Sequence, residues 1–207
     1  VIEDMKSIFF TLILLLVFQA GARAQTLAEH ISRYNPAEAD YIARLIIESG
    51  EKYNIDPILL SAVFCVESGY NNAAVSSAGA RGIAQLMPDT AAFIGRNPDM
   101  IEENIDGGAS YLRDMLELHY DKGIYQYNFA LASYNAGYQR TKTTIPSYTY
   151  DYIQAVKDEY DYEKKMITDI SFHYAAPAST PTDDELLRKK KLLLKLYQLK
   201  KLQLEHK

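Results

Sequence analysis

The sequence predicts a mainly α domain built around one core, and three observations carry that reading. Apolar residues recur with helical periodicity along most of the chain, and no run alternates in the manner of a strand. Helix punctuation is explicit. Asp56-Pro57 opens a helix, since Asp caps exposed amides and Pro fits the first turn without losing a bond, and Gly69 suits the left-handed stop that closes it. Composition agrees: 207 residues, 48% of them hydrophobic and 24% charged, supply material for one ordinary core.

At the N-terminus, Lys6 precedes the apolar run Ile8 to Phe18, and Ala22-Arg23-Ala24 offers small residues where a signal peptidase reads. Residues 1–24 are therefore expected to be a secretory signal cut after Ala24, giving a periplasmic or exported protein. The run is too short for a stable transmembrane anchor, and no cysteine follows the cut to carry a lipid. Two acids stand ahead of Met5, so either Met5 is the true start or the signal is non-standard.

Residues 25–176 form the main domain. A first helix is read over 36–52, with Tyr41, Leu45 and Ile46 inward, and a second from Asp56 to Gly69. Between Gly69 and Gly82 lies a segment rich in Asn, Ala, Ser and Gly, and so long a loop in a compact domain is more often functional than idle. Helices are read to resume over 82–94, 101–120, 125–135 and 148–162. Pro177 and Pro181 mark a linker over 177–182. Beyond it, residues 183–207 alternate leucine with lysine: Leu192, Leu196 and Leu199 share a stripe. The segment is read as a basic amphipathic tail helix, or as a solvated tail.

The net charge of -5 conceals an asymmetry. Residues 177–207 carry eight Lys and Arg against four Asp and Glu, which leaves 14 basic and 23 acidic residues on the rest. An acidic domain of this kind is unsuited to nucleic acid, whose phosphates need a basic surface. Cys65 is the lone cysteine, so no internal disulfide is available, and it reads as a buried structural thiol. His30, His119, His173 and His206 show no metal-ligand spacing, and neither a metal nor a cofactor is expected.

Glu67 is the residue that does not fit a purely structural reading. Leu59, Val63 and Glu67 are spaced four apart and share one helix face, so the carboxylate projects from a row that points inward. Partial desolvation there would raise its pKa to roughly 6 to 7, the range a general acid needs near neutrality. The plainer reading is a Glu that ends its helix at the protein edge and stays solvated; three further motifs argue against it. Seventeen tyrosines and no tryptophan add to the picture. Several gather at Tyr125, Tyr127, Tyr134, Tyr138, Tyr148, Tyr150 and Tyr152, and aromatic faces with a polar tip suit sugar rings.

The motifs run in order. Glu67-Ser68 is followed by Gly82-Ile83-Ala84-Gln85, continuing into Leu86-Met87-Pro88-Asp89-Thr90-Ala91, then by Ser133-Tyr134-Asn135-Ala136-Gly137, and last by Tyr152-Ile153-Gln154-Ala155-Val156. Asn104-Ile105, Gly108 and Tyr111-Leu112 fall between the second and third. Over roughly Ala43 to Val156 the chain resembles the soluble lytic transglycosylases, the bacterial family related to goose-type lysozyme. Each signature alone is weak, but four in order at compatible spacings are specific. The departures are Ile83 for Leu, Ala84 for Met and Asn72 where Pro is common; none removes a catalytic atom, and Ala84 would enlarge or reshape a pocket.

The resemblance implies a lysozyme-like transglycosylase domain with a substrate groove, no cofactor, and peptidoglycan glycan strands as the partner. It implies Glu67 as single catalytic acid and base, with Ser68, Ser76, Gln85, Met87, Tyr134, Asn135 and Tyr152 binding the saccharide. The reaction implied is cleavage of the bond between N-acetylmuramic acid and N-acetylglucosamine with formation of a 1,6-anhydro sugar. Asp89 and Asp106 are the acids nearest the signatures, and helix capping accounts for Asp89. A small domain with a signal and a short tail also resembles the specialised transglycosylases of secretion or conjugation machinery, contacted through residues 183–207. The alternatives are a lysozyme-type hydrolase of the same fold and a non-catalytic peptidoglycan-binding scaffold.

Overall fold

The computed structural model describes residues 26–167. The signal reading of residues 1–24, the 177–182 linker and the 183–207 tail lie outside them. A short helix over residues 26–31 (α1) is followed by α2 (Ala39–Tyr53), α3 (Pro57–Ser68), α4 (Pro88–Phe93) and α5 (Ile101–Leu118). A 3-10 turn, Tyr120–Tyr125, leads to α6 (Gln126–Ala136) and α7 (Tyr138–Thr141), and a second, Ser147–Thr149, leads to α8 (Tyr150–Ile167). Among the described residues β pairing is limited to isolated bridges, and no helix is long and apolar enough to cross a membrane.

The centre of the bundle is α3, because apolar residues surround most of it: Ile58, Leu60, Ala62, Val63 and Phe64 are all buried. Full burial of a side chain such as Phe64 or Leu60 contributes roughly 1.5–3 kcal/mol. The helix begins as its sequence dictates, with the Asp56 carboxylate accepting from the Ile58 amide at 3.0 Å and Pro57 in the first turn. It ends at Gly69, which sits in the left-handed region. Around this axis α3 packs against α2 and α8, while α5 packs against α2 and α6.

Two readings need correction. On α2 the buried residues are Ala39, Ile42, Ala43, Ile46, Ser49 and Gly50; Leu45 packs partly buried against the core, whereas Tyr41 does not join it. Tyr41 instead donates to Glu102 on α5 and lies at the rim. The helix read over 82–94 is confined to Pro88–Phe93. Residues 81–87 turn back on themselves, with Arg81 and Leu86 exchanging backbone hydrogen bonds at 3.0 Å and 3.0 Å. Both Gly82 and Gln85 take positive φ, 72° and 47°, which no helix accommodates. Gln85 therefore projects from a turn.

Candidate active site

Glu67 occupies the last turn of α3, and three segments converge on its surroundings: the 81–87 turn, α6 and the start of α8. The Tyr152 hydroxyl donates to Glu67 Oε1 at 2.7 Å. On α6, Tyr134 is buried and its hydroxyl donates to the Ala84 carbonyl at 2.9 Å, while its ring lies 5.3 Å from that of Tyr111 on α5. The Ser68 hydroxyl donates to the Ile83 carbonyl at 2.8 Å and accepts from the Asn71 amide at 3.2 Å. Ser68 and Tyr134 thus grip consecutive carbonyls of one turn, bringing α3 and α6 together behind the acid.

Burial pushes the Glu67 carboxyl up to about 7, and the hydrogen bond from Tyr152 pulls the other way without overcoming it. No carboxylate is among the causes of that shift. Tyr152 and Tyr134 are both pushed well above the ordinary phenol range, first by burial and then by the charge of Glu67. At neutral pH both phenols therefore keep their protons and remain donors.

The other residues singled out in the sequence lie further along the loop. The Ser76 hydroxyl accepts from the Ala80 amide at 3.0 Å, closing the turn between them. The Gln85 side chain donates to the Gly82 carbonyl at 2.9 Å and to the Ala74 carbonyl at 3.3 Å. Met87 precedes α4 and is 42% exposed, and Asn135 is exposed near the end of α6. Ser68, Ser76 and Gln85 thus spend their polar atoms on loop backbone, while Met87 and Asn135 face outward.

The loop itself depends on a residue whose role the sequence did not declare. Asn104 of α5 is fully buried and donates through Nδ2 to the Arg81 and Pro98 carbonyls at 2.8 Å and 2.9 Å. Its Oδ1 accepts from the Ala84 amide at 2.7 Å. A Cβ on Gly82 would stand 2.4 Å from Asn104 Nδ2, so the glycine is needed for space as well as for its φ. The available signal was the turn's own backbone: amides and carbonyls folded inward outside any helix need side-chain partners. Ala84 is fully buried, and a Cβ on Gly108 would lie 2.5 Å from its methyl, so this small residue is met by close core packing against α5.

Asp106 is committed elsewhere. Although burial opposes it, hydrogen bonds from Lys52, Arg96 and Tyr53 hold its carboxyl below the usual range. Asp89 is exposed in the first turn of α4.

A family model described as the transglycosylase SLT domain matches residues 44–157. The chain is similar to a transglycosylase of Enterobacteria phage PRD1, with 40% identity over 87 residues, covering 42% of this chain and 31% of that protein. It is also similar to membrane-bound lytic murein transglycosylase F of Cronobacter sakazakii, with 38% identity over 96 residues, covering 42% of this chain and 18% of that protein. In fold it matches the lytic transglycosylase Slt of Pseudomonas aeruginosa, solved as an inactive mutant, with a TM-score of 0.51 at 21% identity, covering 73% of this chain and 31% of that one. The chain therefore spans less than a third of the length of each of these relatives.

Proposed function

We propose that this chain, which belongs to the transglycosylase SLT domain family, is a peptidoglycan lytic transglycosylase in which Glu67 serves as the single acid and base. The observation that carries the reading is the state of Glu67: buried enough to hold its proton near neutrality, hydrogen-bonded by Tyr152, and shifted by no neighbouring carboxylate. Ordinary glycosidases pair two carboxylates, one to protonate the leaving oxygen and one to supply or activate a nucleophile. A lone acid suits a reaction in which the substrate brings its own nucleophile.

In that reaction the Glu67 carboxyl gives its proton to the glycosidic oxygen between N-acetylmuramic acid and N-acetylglucosamine. An oxocarbenium-like centre develops at C1, stabilised by nearby dipoles. The C6 hydroxyl of the same sugar attacks C1 and passes its proton to the Glu67 carboxylate, which restores the acid and leaves a 1,6-anhydro ring. Because the nucleophile is tethered, effective molarity replaces a second carboxylate. The Tyr152 hydroxyl holds Oε1 and stabilises the carboxylate while it lasts, leaving Oε2 for the substrate. Ser68, Ser76, Gln85, Met87, Tyr134 and Asn135 are assigned to saccharide binding or to shaping the loop that binds it.

Digestion of purified sacculi by the full chain tests this directly: soluble muropeptides are expected, and an unchanged sacculus would contradict it. The pH dependence has a defined sign. Since Glu67 must be protonated to act, kcat/KM is expected to fall as pH rises through about 7. Tyr152 favours the ionised carboxylate, so Tyr152→Phe is expected to move that limb to higher pH while lowering the rate. A limb that stays in place would remove Tyr152 from contact with the acid.

A further inference from the structure

On the side of α3 that carries Cys65, residues from three helices converge in a second cluster. His30 of α1, Cys65 of α3 and Glu159 of α8 bring one nitrogen, one sulfur and one carboxylate oxygen within 4.8 Å of one another. His30 is 1% exposed, its Nδ1 has no partner, and its Nε2 faces only carboxylate oxygens without a well-aligned hydrogen bond to either. Its Nε2 is aimed into the cluster, 3.1 Å from Glu159 Oε1 and 3.5 Å from Glu163 Oε1. Glu163, one turn along α8, is fully buried with Oε2 unpartnered. Buried polar atoms without partners are rare and costly, so a concentration of them at one point demands a physical reason.

We propose that His30, Cys65 and Glu159, with Glu163 as fourth donor, form a binding site for a borderline-soft divalent cation of the zinc class. The donor set selects the ion: a thiolate and an imidazole beside carboxylates suit zinc, whereas calcium and magnesium require oxygen throughout. Bond lengths of about 2.0–2.3 Å place neighbouring ligand atoms of a tetrahedral ion roughly 3.3–3.8 Å apart. The two His30 to carboxylate spacings lie close to that range, and no pair of the three needs to contract by more than about 1 Å. Glu159, with a side chain 19% exposed, leaves a path for entry.

Charge is consistent with the same ion. Burial, and then Arg33, push His30 down to about 4, so the imidazole is neutral as a ligand must be. Burial also pushes the Cys65 thiol up to about 12 and the Glu163 carboxyl up to about 9. Without a cation the pocket therefore disfavours anions; a bound dication would offset that and deprotonate its thiol outright. Cys65 lies two residues before Glu67, so the ion would fasten α1 and α8 to the helix that carries the candidate acid. Sequence spacing could not reveal such a site, because its ligands come from three separate helices.

Titration of the full chain with Co2+ after dialysis against a chelator tests the proposal. One equivalent is expected to produce a thiolate charge-transfer band and the visible bands of tetrahedral cobalt, and Zn2+ should displace both while raising Tm. Cys65→Ser and His30→Gln are each expected to weaken Zn2+ binding by at least the roughly 10- to 100-fold typical of even outer-shell changes. Cys65→Ser should also abolish the charge-transfer band. Glu67→Gln should bind the metal like the parent, which separates this site from the proposed chemistry. The absence of a thiolate band in the parent chain would overturn the proposal. So would Zn2+ affinity unchanged in both ligand variants.

Discussion

Glu67→Gln is expected to abolish muropeptide release from sacculi while leaving the chain folded and its binding to glycan strands largely intact. A positioned general acid contributes typically 10²–10⁴-fold, and this acid also takes back the proton, so a loss of at least about 10³-fold is expected. The amide keeps an oxygen for the Tyr152 hydroxyl, so the local hydrogen bond survives. Stability should move the opposite way to activity. A carboxyl whose folded pKa is raised contributes stability that is fully present below the ordinary carboxylate range, near ~4.3, and is lost as pH rises through about 7. Above pH 7 the parent therefore carries an ionised group in a half-dry site, a penalty on the order of 3–4 kcal/mol at most. The glutamine variant avoids it and should melt no lower, and preferably higher, than the parent there. A folded variant that still releases muropeptides would remove Glu67 from the chemistry.

Asn104→Ala is expected to cause a large loss of stability, because this α5 side chain pins the 81–87 turn. Three hydrogen bonds vanish together: the buried Ala84 amide loses its side-chain partner, and the part-buried Arg81 and Pro98 carbonyls lose one bond each, with Arg81 keeping the Leu86 amide. At about 1–3 kcal/mol for the buried amide left unpaired and roughly 0.5–1.5 kcal/mol for each of the other two bonds, a cost of roughly 2–5 kcal/mol is expected, a large share of a typical domain's stability. A fall in Tm of more than about 6 °C should accompany it. Activity should fall even at temperatures where the variant is folded, because Ser68 and Tyr134 hang on the Ile83 and Ala84 carbonyls of the same turn. Thermal melting, paired with turnover well below Tm, checks both parts. A melting point like the parent's would mean that the turn is held by other contacts.

These two residues also mark what the sequence made legible. The helix bearing Glu67 could be drawn from end to end, because its signals are local: Asp56 caps one amide, Pro57 fits one turn, and Gly69 adopts one left-handed conformation. Its inward acid followed from the same periodicity. Residues 82–87 read as the start of a helix because their composition is helix-tolerant, and the decisive facts are the positive φ at Gly82 and Gln85 and the partner that Asn104 supplies from 20 residues on. Pro88 was the overlooked local cue, since a proline at the first helical position marks where α4 begins. On α2 Ile46 is inward as read and Leu45 packs against the core from its edge, whereas Tyr41 lies outside it, because an amphipathic side chain covers the rim of a core as readily as it fills it. The His30, Cys65 and Glu159 cluster was out of reach entirely, being a product of how α1, α3 and α8 dock.

The mass of the disaccharide-peptides that the full chain releases from purified sacculi in H2¹⁸O tests the central claim most directly. The account predicts products ending in 1,6-anhydro-N-acetylmuramic acid, lighter by one water than the reducing sugar and free of ¹⁸O at the new end. Products with a reducing end that carry ¹⁸O would contradict it, since water and not the sugar's own C6 hydroxyl would then have attacked.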